Sequence, residues 1–411
     1  MTDILSQDLT NSPPIPVTAV RWVYLVVGVL LFLAMGLVYA WSIFVPPLAK
    51  DFGWQPNQTG LGFTILMSMF CLGGVVTGLI TKRWTPRLAI WICGVLIGLG
   101  FFGASRLNSL GELYFFFSGL VGLGVGMAYN AVLSSVLRWF PERQGLISGI
   151  LMMGFGLGSL ILSTVGTSML ESIGWRATFL TLAGVYAVLV LVSSFFIVYP
   201  GPGVVFPAAA TRQSREEGLE LDTGRMVRRP TFWFIFIWAT LLSAGGLMVI
   251  GSAASIAESL GADVRLAGFL TGLIAISNGC GRVLAGLLYD KVGRKLVMPL
   301  LSAGFIVTGA VLLAALATGS LTLLVAGFIL TGLSYGGVPP SNSTLVSSFY
   351  GLKNYSLNFS IINLNIMAAS FLGPALAGIM QTMSGAYNTT FIAIVVFGVL
   401  SLGLMFLVRK P

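Results

Sequence analysis

The chain alternates between long apolar runs and short polar connections. Each apolar run has about 20 residues, the length that a helix needs to cross the roughly 30 Å hydrocarbon core of a bilayer. The runs lack the strict apolar–polar alternation of membrane-spanning β-strands and are rich in Leu, Gly and Ala. The pattern therefore predicts an all-α integral membrane protein with twelve transmembrane helices. They cover residues 20–47, 58–81, 88–105, 112–137, 144–169, 176–199, 230–257, 266–289, 296–316, 320–346, 355–380 and 387–408.

One connection is much longer than the others. Residues 200–229 begin with Pro200 and Gly201 and then carry five arginines and four acidic residues. Because such a charge density cannot enter the bilayer, we interpret this segment as a solvated linker. We predict an N-terminal six-helix half with a short tail (1–199), a cytoplasmic linker (200–229) and a C-terminal six-helix half (230–411). The first nineteen residues lack the basic start and cleavage site of a signal peptide.

Composition excludes several classes of protein. Only 9% of the residues are charged and 56% are hydrophobic, whereas a soluble domain is about 25% charged. Disordered, collagen-like and nucleic-acid-binding proteins are excluded by the same figures. The chain has no histidine, which excludes a histidine-based metal site or catalytic triad. We expect neither a metal nor a cofactor, and the three cysteines, all within apolar runs, indicate no disulfide framework.

The net charge of +9 reflects topology rather than an anionic partner. If both termini are cytoplasmic, seventeen of the 22 lysines and arginines lie on the cytoplasmic side and four on the opposite side. This bias is the positive-inside rule, so we predict cytoplasmic termini. The absence of a targeting peptide fits a multi-pass protein of a bacterial cytoplasmic (inner) membrane.

The two halves resemble each other at an offset of about 208 residues. Residues 78–87 (GLITKRWTPR) align with residues 286–295 (GLLYDKVGRK), each at the cytoplasmic end of the second span of its half. Tyr129 in the fourth span has a counterpart in Tyr335 in the tenth. Two homologous halves predict a pseudo-two-fold arrangement around a cavity that opens to one side at a time.

These motifs resemble a known family. The run from Gly286 to Lys295, with Asp290 and Arg294, resembles the cytoplasmic loop signature of the major facilitator superfamily. The run from Arg138 to Gly145 (RWFPERQG) resembles the junction between the fourth and fifth helices of oxalate/formate antiporters and monocarboxylate porters. The resemblance extends from about Arg21 to the C-terminus. It implies the twelve-helix major facilitator fold and a transport function.

Arg282 is the basic residue placed well inside a span. An arginine at a helix centre costs about 2.5–3.5 kcal/mol on insertion scales, so one that remains there is a candidate for function. A guanidinium suits a carboxylate, although a structural ion pair is the alternative. The resemblance implies that this arginine contacts the carboxylate of the substrate. Asn278, one turn earlier on the same face, stands where proton-coupled monocarboxylate porters commonly have an aspartate, which leaves the coupling mechanism open.

Other polar and aromatic residues complete the predicted site. Tyrosines in the first, fourth and tenth spans can donate to a carboxylate and close the site against water, with packing or an interfacial position as the alternative. Asp290 and Arg294 are predicted to clamp the cytoplasmic gate. The further candidate substrate-binding residues are Tyr39, Tyr129, Tyr335, Asn130, Phe359 and Asn363.

The sequence favours a secondary transporter for small monocarboxylates such as lactate or pyruvate. We predict proton-coupled symport by alternating access, in a protein that functions as a monomer and is not an enzyme. Oxalate antiporters carry a second cation, a lysine, in the eleventh helix, and residues 361–366 contain none. Carboxylate exchange of the oxalate/formate type is the alternative, followed by a membrane sensor that does not transport.

Overall fold

The computed structural model describes residues 15–16, 20–201, 204–205, 219–384 and 387–410. Within these residues eleven helices are long and apolar enough to cross a membrane, and one of them contains two spans, so there are twelve spans, α1–α12, which confirms the predicted fold class. The first six spans are Val20–Met35 continued by Gly36–Ile43 and Val45–Phe52 (α1), Pro56–Ile80 (α2), Pro86–Ala104 (α3), Leu110–Glu112 continued by Leu113–Val121 and Gly122–Leu137 (α4), and two within Gln144–Ser193 (α5, α6). The last six are Pro230–Ser259 (α7), Val264–Val292 (α8), Arg294–Thr318 (α9), Leu321–Gly336 with Val338–Tyr350 (α10), Tyr355–Ser384 (α11) and Asn388–Met405 (α12).

The fifth and sixth spans are continuous in backbone hydrogen bonding. Gln144–Ser193 has 50 residues, about 75 Å of helix at 1.5 Å per residue, which is more than twice the thickness of the hydrocarbon core. Gly174 breaks it with φ 76° and ψ 165°, a positive φ that glycine adopts without a steric penalty. The segment is therefore two helices, as the hydropathy predicts.

Three of the spans are irregular within the membrane. In α1, residues Gly36–Ile43 form a 3₁₀ helix, and the Cα of Gly36 lies so close to the backbone of Phe155 and Ser159 in α5 that a Cβ would overlap them. In α4, Leu113–Val121 is a π-helix. In α10 the helix is interrupted at Gly337. Irregular backbone at membrane depth is typical of positions buried in protein or lining a cavity.

Large apolar side chains cover the outside of the bundle. Leu30, Phe115, Phe269 and Phe406 are each more than half exposed. On a soluble protein such a surface would promote association, whereas in a bilayer it contacts lipid tails. The polar side chains of Asn130, Arg282 and others are buried inside the bundle instead.

The first six and the last six spans meet at the end of the bundle that carries Lys82, Arg138, Arg143, Lys291 and Lys353, which we call the basic face. There α5 packs against α8 and α2 packs against α11. The division into two domains at 199/200 and 229/230 stays a prediction. Part of the linker is described: a short helix, Thr223–Val227, and a parallel two-residue ladder in which Ile15–Pro16 (β1) pairs with Val204–Val205 (β2).

Candidate functional site

Arg282 is buried between α8 and α5. The residue is 7% exposed to solvent. The Nε–H group donates to Asn278 Oδ1 at 3.0 Å, and an N–H of the same guanidinium donates to the backbone carbonyl of Met152. A guanidinium has five N–H donors, so most of its donor capacity is left for a further acceptor.

Arg282 carries a positive charge with no negative side chain paired to it among the described residues. It is also the one lysine or arginine of those residues that is buried. A buried charge without a counter-ion is unfavourable. The geometry therefore suits an anion.

Asn278 orients the guanidinium. Because its amide oxygen accepts from Arg282 Nε, its NH₂ group is left as a donor. Arg282 and Asn278 together present N–H groups, which match the acceptor oxygens of a carboxylate.

Small residues in α5 let the arginine lie against that helix. A Cβ on Gly149 would overlap the backbone carbonyl of Arg282, and a Cβ on Gly156 would lie 4.0 Å from its guanidinium. A side chain at Gly149 would push α8 away from α5, whereas a Cβ at Gly156 would make an ordinary van der Waals contact with the guanidinium. The glycines of the fifth span thus serve close packing.

Four of the predicted site residues surround one small cavity. Tyr129, Asn130, Phe359 and Asn363 line it together with neighbouring residues of α2, α4 and α11. Its volume is about 10 Å³, which is room for about one water molecule. A monocarboxylate can enter this space only after the surrounding helices separate. The other lining residues are Phe70, Cys71, Gly74, Gly126 and Ser360.

Tyr129 belongs to an aromatic cluster. Its ring centroid lies 4.6 Å from that of Phe32, 5.2 Å from that of Phe70 and 5.4 Å from that of Phe155. Phe155 lies in α5 between Met152 and Gly156, the two residues that adjoin the Arg282 guanidinium. The cluster therefore connects the small cavity to the wall of the arginine site.

Asn130 is held by hydrogen bonds to two other helices. Its amide NH₂ donates to the backbone carbonyls of Gly74 in α2 and Ser356 in α11, both at 2.8 Å, and to the hydroxyl of Ser360. Its amide oxygen accepts from the hydroxyl of Ser356 at 3.2 Å. In this state the side chain ties α4 to α2 and α11, and its role in binding substrate stays a prediction.

Tyr335 lies at the interruption of α10, away from the small cavity. Its ring packs on Gly246 of α7, where a Cβ would approach the ring to 2.6 Å. Tyr39 lies in the 3₁₀ stretch of α1, and its side chain is outside the described residues.

The two predicted gate residues have different surroundings. The Asp290 carboxylate accepts from the backbone N–H groups of Gly145 at 2.8 Å and Leu146 at 2.7 Å. These groups lie in the first turn of α5, where unpaired N–H groups favour a negative charge. Arg294 instead donates to the carbonyl of Val408 at 2.8 Å and lies over the ring of Phe349. Asp290 thus spans the α5–α8 junction, whereas Arg294 reaches the end of α12.

Asn342 was not predicted as a polar feature of the core. It lies in the second part of α10, is 1% exposed, and neither its amide oxygen nor its NH₂ has a hydrogen-bond partner within the described residues. The polar run Ser341–Asn342–Ser343–Thr344 inside an apolar span is the signal that could have identified it.

A family model described as the Major Facilitator Superfamily matches residues 24–254 and 237–411. The chain belongs to the major facilitator superfamily. It is therefore a multi-pass membrane transporter, and the resemblance inferred from the loop motifs is confirmed.

Relatives within the major facilitator superfamily cover most of the chain. An uncharacterized MFS-type transporter, YhjX, of Escherichia coli (strain K12) is 30% identical over 354 residues, 84% of each chain. The oxalate:formate antiporter of Oxalobacter formigenes is 28% identical over 380 residues, 90% of this chain and 87% of the relative. Monocarboxylate transporter 13 of Rattus norvegicus is 24% identical over 361 residues, 88% of this chain and 82% of the relative.

Solved structures of the superfamily share the fold. The proton:xylose symporter XylE, bound to 6-bromo-6-deoxy-D-glucose, superposes with a TM-score of 0.70 at 17% identity, covering 95% of this chain and 97% of that chain. At this identity the similarity concerns the fold alone.

Proposed function

We propose that the protein transports small monocarboxylates, such as lactate or pyruvate, by alternating access, and that Arg282 binds the carboxylate. The proposal is supported by the state of Arg282: it is buried, lies inside a span, forms no ion pair within the described residues and keeps donors available. The carboxylate of a ligand would neutralise the charge and accept the remaining N–H groups. Asn278 would hold the guanidinium in place and donate its NH₂ to the same ligand.

One buried cation favours a monoanion over a dianion. Residues 361–366 of α11 contain Asn363 and Asn365 as their polar residues. Asn365 is engaged within the bundle, since its NH₂ donates to the carbonyl of Ile362 and its oxygen lies 3.4 Å from the hydroxyl of Ser243. A second carboxylate would therefore meet amides rather than a second positive charge, and a charge buried without a partner is costly.

Proton symport is the mode of coupling that we propose. Asn278 cannot carry a proton, and no Asp or Glu of the described residues is fully buried. We infer that the negative charge of the substrate bound to Arg282 enables the proton step. The acids that could carry the proton are Glu258 near the end of α7 and Asp263 and Asp290 at the two ends of α8. Exchange of carboxylates is the second candidate, because one relative is an oxalate:formate antiporter.

Uptake into proteoliposomes tests the proposal. We expect saturable uptake of labelled L-lactate that an inward proton gradient increases. Arg282→Gln removes the charge, and loss of one partner of a buried charge pair costs about 2–5 kcal/mol, so we expect uptake to fall at least about 30-fold.

Arg265→Gln is the matched control, since Arg265 lies in the same helix but is exposed at its other end. Its uptake should equal that of the wild type. Uptake that requires a carboxylate inside the vesicle would indicate exchange instead of symport. Full activity of Arg282→Gln would eliminate the proposed site.

A further inference from the structure

The loop motif after α8 has an incomplete copy after α2. When Gly78 is aligned with Gly286, Lys82 occupies the position of Asp290. Lys82 is exposed, and the hydroxyl of the preceding Thr81 donates back to the carbonyl of Thr77 at 2.9 Å. The sequence of α2 contains no acidic residue. This helix therefore brings no carboxylate to its junction with α11.

A carboxylate reaches that junction from the linker. Glu220 accepts from the backbone N–H of Leu352 at 3.2 Å and from that of Lys353 at 2.9 Å. Gly351 makes the approach possible in two ways. It has φ 77°, which side chains rarely allow, and a Cβ there would lie 2.5–2.6 Å from the carboxylate.

The linker residues next to Glu220 hold the same junction. The N–H of Leu221 donates to the carbonyl of Tyr350 at 3.2 Å, and the carbonyl of Leu221 accepts from the side-chain amides of Asn354 and Asn358 at 3.3 Å and 3.1 Å. Thr223 donates to the amide oxygen of Asn358 at 2.7 Å. The end of the linker is thus docked on the turn between α10 and α11 rather than free in solvent.

Arg138 reaches the same turn from α4. Its guanidinium donates to the carbonyls of Leu352 at 2.8 Å and Lys353 at 3.3 Å. The carbonyl of Leu352 and the N–H of Lys353 belong to a single peptide group. That group therefore lies between a carboxylate and a guanidinium, with its dipole along their field, an arrangement in which each hydrogen bond strengthens the other.

We propose that Glu220 supplies from the linker the carboxylate that the loop after α2 lacks, and that the chain of contacts from Glu220 through the Leu352–Lys353 peptide to Arg138 keeps the basic face closed. Opening of the basic face must break the bonds of Arg138, because they join α4 to α11. Neutralising Glu220 removes the charge that polarises the peptide and weakens the support of the turn, which Leu221 and Thr223 then provide alone, so it favours opening. This inference does not depend on the identity of the substrate.

Cys71 provides a native reporter of opening. It is 2% exposed, and it lines the water-sized cavity beside Ser360 at the α2–α11 contact. In a Cys93→Ala/Cys280→Ala background it is the remaining thiol. The experiment measures the rate at which a membrane-impermeant maleimide, applied to the basic face of substrate-free membrane vesicles, modifies Cys71. Lys82→Cys, exposed at the basic face, identifies the vesicles that present this face to the reagent.

We expect Glu220→Gln to raise the rate about five- to tenfold, a shift typical of coupling between sites. Arg138→Gln should raise it at least as much. The double variant should react no faster than Arg138→Gln alone, because both side chains act through one peptide.

Asp222→Asn is the matched control. Asp222 is two residues away and also acidic, but its carboxylate contacts Arg225 within the linker. It should leave the rate unchanged. Glu220→Asp, which keeps the charge with a shorter reach, should give an intermediate rate, and elution as a single species shows that each variant is folded. Three outcomes would each overturn the proposal. The modification rate of folded Glu220→Gln could equal that of the wild type, or the rate increases of the two single variants could multiply in the double variant. The third outcome is an equal increase for Asp222→Asn.

Discussion

The two helix junctions at the basic face use the same packing but obtain their negative charge differently. At the α5–α8 junction a Cβ on Gly286 would overlap the carbonyl of Gly145, and at the α2–α11 junction a Cβ on Gly78 would lie 2.5 Å from the Cα of Leu357. The first junction has its carboxylate on the packed helix itself, since Asp290 accepts from the first turn of α5. At the second, the carboxylate is Glu220 of the linker.

The difference changes how each junction is held. Asp290 joins two helices directly, so α8 and α5 cannot separate at this end without breaking both of its hydrogen bonds. Glu220 lies near the end of the linker, shortly before α7, and its partners lie just before α11. This contact therefore joins the linker to the last six spans and does not reach the first six. Arg138 is required as a third member. A direct contact depends on one side chain, whereas the indirect contact can be altered through the linker.

The packing shared by the two junctions gives the largest expected effect. Gly286→Ala places a methyl group against the backbone of Gly145, which cannot rotate away. Overpacking typically costs about 1–3 kcal/mol, so we expect the rate of Cys71 modification from the basic face to rise by up to about 100-fold.

Gly272→Ala in the same helix is the control, because no atom lies within 4 Å of the position of its Cβ. It should behave as the wild type. If Gly286→Ala leaves Cys71 as protected as before, tight packing is not what keeps α5 and α8 together.

The direct charge contact should have the next largest effect. Asp290→Asn keeps one acceptor oxygen for the N–H groups of Gly145 and Leu146, replaces the other oxygen by an NH₂ donor, and loses the charge. Hydrogen bonds to charged groups contribute about 1.5–3 kcal/mol, against about 1 kcal/mol for neutral ones. We expect Cys71 modification to be about tenfold faster. Asp263→Asn, which changes the carboxylate capping the opposite end of α8, should not alter this rate, and equal effects of the two variants would contradict a gating role for Asp290.

Transfer of the acid from the linker to α2 should have the smallest effect and is the sharpest test of the comparison. Lys82→Asp places a carboxylate in the register of Asp290. In the Glu220→Gln background it should slow Cys71 modification about threefold, because a negative charge near the start of α11 interacts favourably with that helix terminus. Lys82→Asn in the same background separates loss of the lysine from gain of the acid. If Lys82→Asp and Lys82→Asn change the rate of Cys71 modification equally, an acid at this position of the repeat does not stabilise the closed basic face.

The spans could be predicted because the bilayer imposes their length and their hydropathy. The interruptions within them could not, since they depend on neighbours that are distant in sequence. Gly36 illustrates this: its surroundings are set by the backbone of Phe155 and Ser159 in α5, and no local pattern around residue 36 contains that information.

The candidate site was accessible to sequence analysis only where a residue was unusual in its span. Arg282 stood out because a charge within an apolar run is costly, and the structure shows it buried. Glu220 did not, because it is one of four acids in a segment interpreted as a solvated linker. Its contacts with Leu352 and Lys353 join residues 132 and 133 positions apart, a separation at which pattern alone does not specify partners.

Asn342 has a consequence for turnover. An amide buried without a partner raises the free energy of this conformation by about 1–3 kcal/mol, which opposes the stabilisation that Asp290, Glu220 and Arg138 provide. A carrier passes repeatedly between two conformations. If one conformation is too stable, the activation barrier for leaving it is high and turnover is slow. If the Asn342 amide gains hydrogen bonds when α10 moves, the closed and open states lie closer in free energy and the barrier to leaving the closed state is lower.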